Sequence, residues 1–470
     1  MNEKIIQTLK DIFGYTSFRP LQAEIIQAIM QQQDCLAILP TGTGKSLCYQ
    51  LPGILLDGIV VVVSPLLSLM EDQVNSLIAL KKYPAVAINS LLSQEEKQYV
   101  LHHLSEYKFI YLSPEMLSQE ECIQALQREK VALFVVDEAH CLSQWGVDFR
   151  PEYRNLKSIK RALRNPTTLA LTASAPPKVK GEIREVLLNE NYLVYESPVN
   201  RANIYLQVEK TQDKITTLKD YLKNLSGAGI IYCATRHQVE DLYFLLKDEY
   251  QVGYYHGGLS SDQRSLLQAQ FQQNRLQLLV ATNAFGMGIN KPDIRFVIHF
   301  DLPDNLESYV QEIGRAARDG KQGIAILLYQ ENDEQIHYYM QNKTRNEREI
   351  FELLDFNNQK VRQGFSELQQ KWYQQIQKED YYLFLQQIKE NERMKQRQLA
   401  IMLEYIHTTE CRRKFIARYF HNPEPTQEKI CCCSDSSFDY KTLQQSALAV
   451  QQTLDWQNIL LKIFKVESNS

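Results

Sequence analysis

No stretch of the 470-residue chain stays apolar for the roughly 18 residues that a membrane-crossing helix needs. The opening MNEKIIQTLK has neither the apolar core nor the small-residue cleavage site of a secretory leader. Both absences point to the cytoplasm. Basic charge is not in excess: 52 Lys and Arg face 56 Asp and Glu, for a net charge of −4. That excludes a histone-like field over the whole protein. A local basic path stays open, because phosphate neutralisation acts contact by contact. No long internal repeat or low-complexity tract is present. Cys35, Cys48, Cys122, Cys141 and Cys233 stand singly in apolar or motif surroundings and read as free buried thiols of a reducing compartment. The remaining four, Cys411 and Cys431 to Cys433, gather near the C-terminus.

What the chain does have is an alternation of short apolar runs with longer amphipathic stretches. IVVVVS (59–64), FIYLS (109–113), ALFVVDE (132–138) and TTLALTAS (167–174) are near-continuous Val, Ile, Leu and Phe. Such runs suit strands of a parallel sheet buried on both faces. The rhythm pauses at 195–200 and restarts with GIIYCAT (229–235), VGYYHG (252–257), LQLLVATN (276–283), RFVIHF (295–300) and GIAILLY (323–329). Two α/β units follow from this pattern. After about Glu331 the strand signal stops, and residues 331–421 carry helical spacing, as at Leu399, Met402, Leu403 and Ile406.

The strongest chemical signal is LPTGTGKSLCYQ (39–50), directly after the apolar run CLAIL. A phosphate cradle needs backbone N–H groups aimed at an anion, hence glycines followed by a helix N-terminus. Residues Thr41, Gly42, Thr43, Gly44, Lys45 and Ser46 supply that arrangement, with Lys45 reaching the β- and γ-phosphates of ATP and Ser46 holding Mg²⁺. Leu39 stands where the strict loop pattern wants glycine. The partner signal is VVDEAH (135–140) at the end of an apolar run. Asp137 sits where a carboxylate completes the Mg²⁺ shell, and Glu138 where it orients or deprotonates the attacking water.

Three further stretches carry polar or aromatic groups in unusual density. FGYTSFRPLQ (13–22) precedes the phosphate loop. HCLSQWGVDFRPEYRNL (140–156) offers the flat faces of Trp145 and Phe149 for base stacking and Arg150 and Arg154 for phosphates. Core packing is the competing reading for Trp145. SYVQEIGRAARDG (308–320) spaces Gln311, Arg315 and Arg318 four and three apart, as on one helical face.

In motif order, spacing and wording the span 13–320 resembles the RecQ family of superfamily 2 DNA helicases. The resemblance implies two RecA-like lobes, each a parallel sheet flanked by helices, with a C-terminal helical subdomain. The expected bounds are 1–199, 200–340 and 341–470. It implies that Gln22 meets the adenine edge, Arg19 supports the site and Tyr15 stacks on the purine. His140 is the coupling residue, touching the second lobe or the next motif, Thr235 and Arg236 touch DNA backbone, and Arg318 is the arginine finger, with Arg315 as second candidate. The aromatic-rich loop would sense single-stranded DNA. RNA helicases of the DEAD-box type lack that loop. Three positions depart from the family's usual residues: Ser174 replaces Thr, Val147 replaces His and Ala317 replaces Gly.

The implied activity is ATP hydrolysis with Mg²⁺, coupled to 3′-to-5′ stepping on single-stranded and forked DNA in repair and recombination. The expected setting is a monomer, cytoplasmic and associated with the nucleoid. An RNA helicase and a DNA-binding scaffold with an inactive motor are the rival readings. CRRKFIARYFH (411–421) resembles the segment bearing the family's first zinc cysteine. The following C-x-x-C-x-x-C run is broken, since Ile430 and Ser436 flank Cys431, Cys432 and Cys433 at the ligand spacing. Two readings stay open: a poor zinc site from Cys411, Cys431 and Cys433, helped by Asp435, or free thiols on a fold held by helix packing. Too little chain follows Cys433 for a winged helix, so a short form is expected; Lys395, Arg397, Arg412, Arg413, Lys414 and Arg418 then either take the duplex contacts or are solvated helix faces.

Overall fold

The computed structural model describes residues 3–441 and 443, apart from 41, 66, 81–82, 90–91, 145–150, 286–290, 357, 378–379 and 426–437. For residues 68, 144, 151, 154 and 261 it describes the backbone alone. No described helix is long and apolar enough to cross a membrane.

The first sheet contains β1 (Cys35–Ile38), β2 (Ile59–Val63), β3 (Ala85–Ile88), β4 (Phe109–Leu112), β5 (Val131–Val136), β6 (Thr168–Thr172) and β7 (Leu193–Glu196). Its order is β3-β4-β2-β5-β6-β1-β7, and every pairing is parallel. The second sheet contains β8 (Ile204–Lys210), β9 (Ala228–Tyr232), β10 (Val252–Tyr255), β11 (Leu278–Ala281), β12 (Ile294–His299) and β13 (Gly323–Tyr329). Its order is β10-β11-β9-β12-β13-β8, again all parallel.

Central strands such as β2, with the sequence IVVVV, are buried at every position, because helices cover both faces. Full burial of one such valine is worth about 1.5–3 kcal/mol. The expected pause at 195–200 is bordered by two strands that the apolar runs do not show. Edge strand β7 takes in Tyr195 and Glu196, with Leu193 and Val194 partly in solvent, and β8 follows at Ile204.

Beyond β13 the described chain is helical. The helices Gln335–Glu352 and Glu367–Ile376 and the start of Tyr381–His407 share a small aromatic core of Phe351, Phe365, Trp372 and Phe384. The 27-residue helix Tyr381–His407 then leaves that core. Its Leu399, Met402, Tyr405 and Ile406 enter the core of the second lobe, joined by Ile416 and Phe420 from the helix Arg412–Tyr419 and its end. Phe438 and Leu443 pack on the other face of that sheet.

Candidate functional site

The loop after β1 turns on Gly42 (φ +84°) and Gly44 (φ +80°), backbone that side chains resist. The loop leads into the helix Leu47–Leu55, so its N–H groups meet a helix N-terminus. Its carbonyls are held from behind. Gln22 Nε2 donates to Thr43 O at 2.9 Å and Gly44 O at 3.1 Å, while its Oε1 accepts from the Arg19 N–H at 2.9 Å. The Arg19 guanidinium donates to Gly42 O. Both residues thus fasten the phosphate loop. Tyr15 is about half exposed at the rim.

Parallel pairing of β2 and β5 carries Asp137 and Glu138 to the same sheet end as the loop. Asp137 N–H donates to Val63 O at 2.9 Å. The left-handed conformation of Glu138 (φ +47°) turns its carboxylate inward, where Oε1 lies 3.3 Å from Lys45 Nζ. Burial opposes the charge on Glu138, but Lys45, His140 and Arg315 outweigh it and hold the carboxyl below its ordinary value. Asp137 goes the other way, raised to about 6 by burial and then by the charge on Glu138. Glu138 Oε2 is buried and accepts no hydrogen bond. It lies 3.4 Å from His140 Nδ1, whose ring burial disfavours as a cation. His140 Nδ1 also lies 3.0 Å from Thr172 Oγ1, and that hydroxyl donates to Ser174 O at 2.9 Å.

The second lobe closes the cleft. Gln311, Arg315 and Arg318 line the same space as Lys45, Ser46, Asp137 and Glu138, a cleft of about 430 Å³. That volume suits a nucleotide-sized ligand. The three do not share one helical face as their spacing suggests. The helix Leu306–Ile313 ends before Arg315, tight turns follow, and Ala317 adopts the left-handed conformation at φ +53°. The turns, rather than a continuous helix, aim both arginines into the cleft. Burial, and then Arg315, lower the Arg318 guanidinium toward its neutral form. A polyanion between the lobes relieves that repulsion. Lys45, Arg315 and Arg318 around one cleft and the positive-φ glycines fit a nucleoside triphosphate, and the oxygens of Ser46 and Asp137 are the hard donors that Mg²⁺ takes.

Comparison with known proteins bears on the whole chain. The DEAD/DEAH box helicase family matches residues 19–181, the helicase conserved C-terminal domain 213–320 and the RecQ zinc-binding family 368–435. A probable ATP-dependent DNA helicase RecS of Bacillus subtilis is 40% identical over 99% of both chains. The ATP-dependent DNA helicase RecQ of the same species is 36% identical over 94% of this chain and 69% of its own. The chain belongs to the RecQ family of ATP-dependent DNA helicases. Solved structures agree on the fold alone. A mycobacterial helicase Lhr has a TM-score of 0.58 at 20% identity, covering 70% of this chain and 47% of its own. Yeast Dbp5 bound to RNA also has a TM-score of 0.58 at 20% identity, covering 73% and 91%.

Other positions expected from the RecQ pattern are placed unevenly. Thr235 caps the helix Arg236–Leu246 by accepting from Gln238 N–H at 3.1 Å. Exposed Arg236 begins that helix beside Gly257 and Gly258. Trp145, Phe149 and Arg150 lie outside the described residues, as do Thr41, Cys431 and Cys433, and of Arg154 only the backbone is described. Cys411, partly exposed, precedes the helix Arg412–Tyr419. Among the described residues no cluster of His, Cys, Asp or Glu could hold a metal.

The expected basic cluster for duplex DNA needs correction at Arg413. Lys395 and Arg397 are exposed on the long helix. Arg418 pairs with Glu410 and Glu424, and Lys414 with Glu424. Arg413 is buried, bonded to Asn200 and to backbone carbonyls of the segment between the sheets. The sequence holds no local signal for this, since Arg412 and Arg413 are adjacent and chemically alike.

Proposed function

We propose that this RecQ-family helicase hydrolyses Mg²⁺-ATP in the interlobe cleft and couples each cycle to a 3′-to-5′ step on single-stranded DNA. Forked and tailed duplexes would be opened in DNA repair and recombination, by a monomer acting in the cytoplasm at the nucleoid. The reading assigns 1–199 and 200–340 to the two motor lobes and 341–470 to the helical subdomain. One observation carries it: Arg315 and Arg318 of one lobe face Lys45 and Glu138 of the other across a single cleft.

In this reading Lys45 holds the β- and γ-phosphates as a point charge, and Ser46 and Asp137 hold Mg²⁺. Bound there, Mg²⁺ neutralises charge that builds on the phosphate oxygens. Glu138, ionised beside Lys45, orients the attacking water and receives its proton. Arg318 stabilises the leaving charge, and a finger of this kind contributes ~10³–10⁵ in rate. Because it comes from the second lobe, hydrolysis becomes sensitive to lobe closure. The chain His140–Thr172–Ser174 supports passage of the nucleotide state toward the second lobe. Thr235 and Arg236 would hold DNA backbone, while Trp145, Phe149, Arg150 and Arg154 would sense the single strand.

ATP turnover measured with single-stranded DNA, RNA of the same sequence, or neither tests the reading. Strong stimulation by DNA and little by RNA is expected. Equal or greater stimulation by RNA contradicts it, and no stimulation by either leaves a scaffold with an idle motor.

A further inference from the structure

The segment 197–203 joins the two sheets, and the C-terminal helices grip it. From the helix Arg412–Tyr419, Arg413 Nη1 donates to Asn200 Oδ1 at 2.6 Å and to Arg201 O at 2.9 Å. Its Nη2 donates to Ile204 O at 2.5 Å. Past the end of that helix, Asn422 Oδ1 accepts from Val199 N–H at 2.9 Å, and its Nδ2 donates to Glu196 Oε1 at 2.8 Å. The gripped segment in turn holds one carbonyl of the second lobe. Arg201 Nη2 donates to Ala317 O at 2.6 Å and Asn203 Nδ2 to the same oxygen at 2.9 Å. Ala317 is the left-handed residue immediately before Arg318. Arg318 in turn lies against Gly42 of the phosphate loop, close enough that a Cβ there would come within 2.8 Å of its Cγ.

The geometry points to Arg413 as a positioning residue for the arginine finger: through the linker backbone, Arg201 and Asn203 it fixes the turn that aims Arg318 at the phosphate loop. The inference rests on the reading of Arg318 as the finger. Left-handed backbone is disfavoured at an alanine, so the turn needs outside support, and two donors on its carbonyl provide it. A cavity of about 30 Å³ marks where the parts meet, lined by Ser174, Arg201, Gln311, Gly314, Arg413 and Ile416. The helical subdomain is therefore a working part of the ATPase, even though Arg413 stands clear of the nucleotide cleft.

The test is a double-mutant cycle on the full chain, with DNA-stimulated ATP turnover scaled to the folded fraction. Arg413→Ala should lower kcat by about ten- to a hundredfold, the scale of a misplaced catalytic group, with KM for ATP within about twofold. In an Arg318→Ala background the same change should cost nothing further, because the two act in series. If Arg413→Ala does not fold, Arg201→Ala breaks the contact to Ala317 O without emptying the helix interior and should give the same pattern. An Arg318→Ala variant strongly impaired but still measurable, combined with a normal kcat for Arg413→Ala and Arg201→Ala, would overturn this inference alone. So would an undiminished loss in the Arg318→Ala background. Full turnover by Arg318→Ala itself would remove the finger reading and this inference together.

Discussion

Arg318 of the second lobe packs directly on Gly42 of the first, and a Cβ at residue 42 would stand 2.8 Å from its Cγ and 2.9 Å from its Cδ. The shape of the phosphate loop and the seat of Arg318 are thus one feature. Gly42→Ala should strain the loop at φ +84° and displace Arg318. We expect DNA-stimulated kcat to fall by more than about tenfold, with ATP binding weakened less. A wild-type kcat would show that Arg318 does not act from this seat.

Lys45→Ala removes a cation of the cleft and leaves Glu138, 3.3 Å away, without its lysine partner. Turnover should drop by at least about 10²–10³-fold, the usual cost of a transition-state charge contact. Affinity for single-stranded DNA, measured by fluorescence anisotropy, should persist. Turnover within tenfold of wild type would contradict the assignment of the loop.

Much of this arrangement is legible in the sequence, for physical reasons. Strands buried on both faces must be nearly all apolar, so β2, β4, β9 and β13 announce themselves. Edge strand β7 leaves Leu193 and Val194 in partial contact with water, and β8 mixes Gln207 and Glu209 into its length, so both blur into the pause between the lobes. Phosphate chemistry constrains neighbouring residues, which makes Lys45, Asp137 and Glu138 visible as short motifs. The path of the chain after Ile313 is not visible. Spacing alone suggests one helical face for Gln311, Arg315 and Arg318, whereas Arg201 and Asn203, over a hundred residues earlier, hold the turn at Ala317. The burial of Arg413 depends on partners still further away in sequence.

Trp145→Ala should uncouple DNA from ATP. Basal hydrolysis should change little and single-strand stimulation should fall. A lost stacking contact is worth about 1–3 kcal/mol of DNA affinity. Unchanged stimulation together with lost cooperative melting would make Trp145 a core residue.

Zinc should be held weakly or not at all. The zinc-binding family matches residues 368–435, yet Ile430 and Ser436 occupy the spacing where further ligands belong. An intact structural zinc contributes ~10–16 kcal/mol of apparent binding free energy and resists mild chelation. Metal analysis after brief exposure to a chelator should find well under one zinc per chain, with the melting temperature unchanged. One tightly held zinc per chain would show that Cys411 and the cysteine triplet reach a tetrahedral geometry.

Strand displacement on 3′-tailed, 5′-tailed and blunt duplexes, with and without ATP, tests the central claim most directly. A motor that closes on ATP between Lys45 and Arg318 should separate the 3′-tailed duplex only when ATP is supplied. It should leave the 5′-tailed and long blunt duplexes largely intact. Separation of the 5′-tailed substrate in preference, or no ATP-dependent separation of any, would contradict the account.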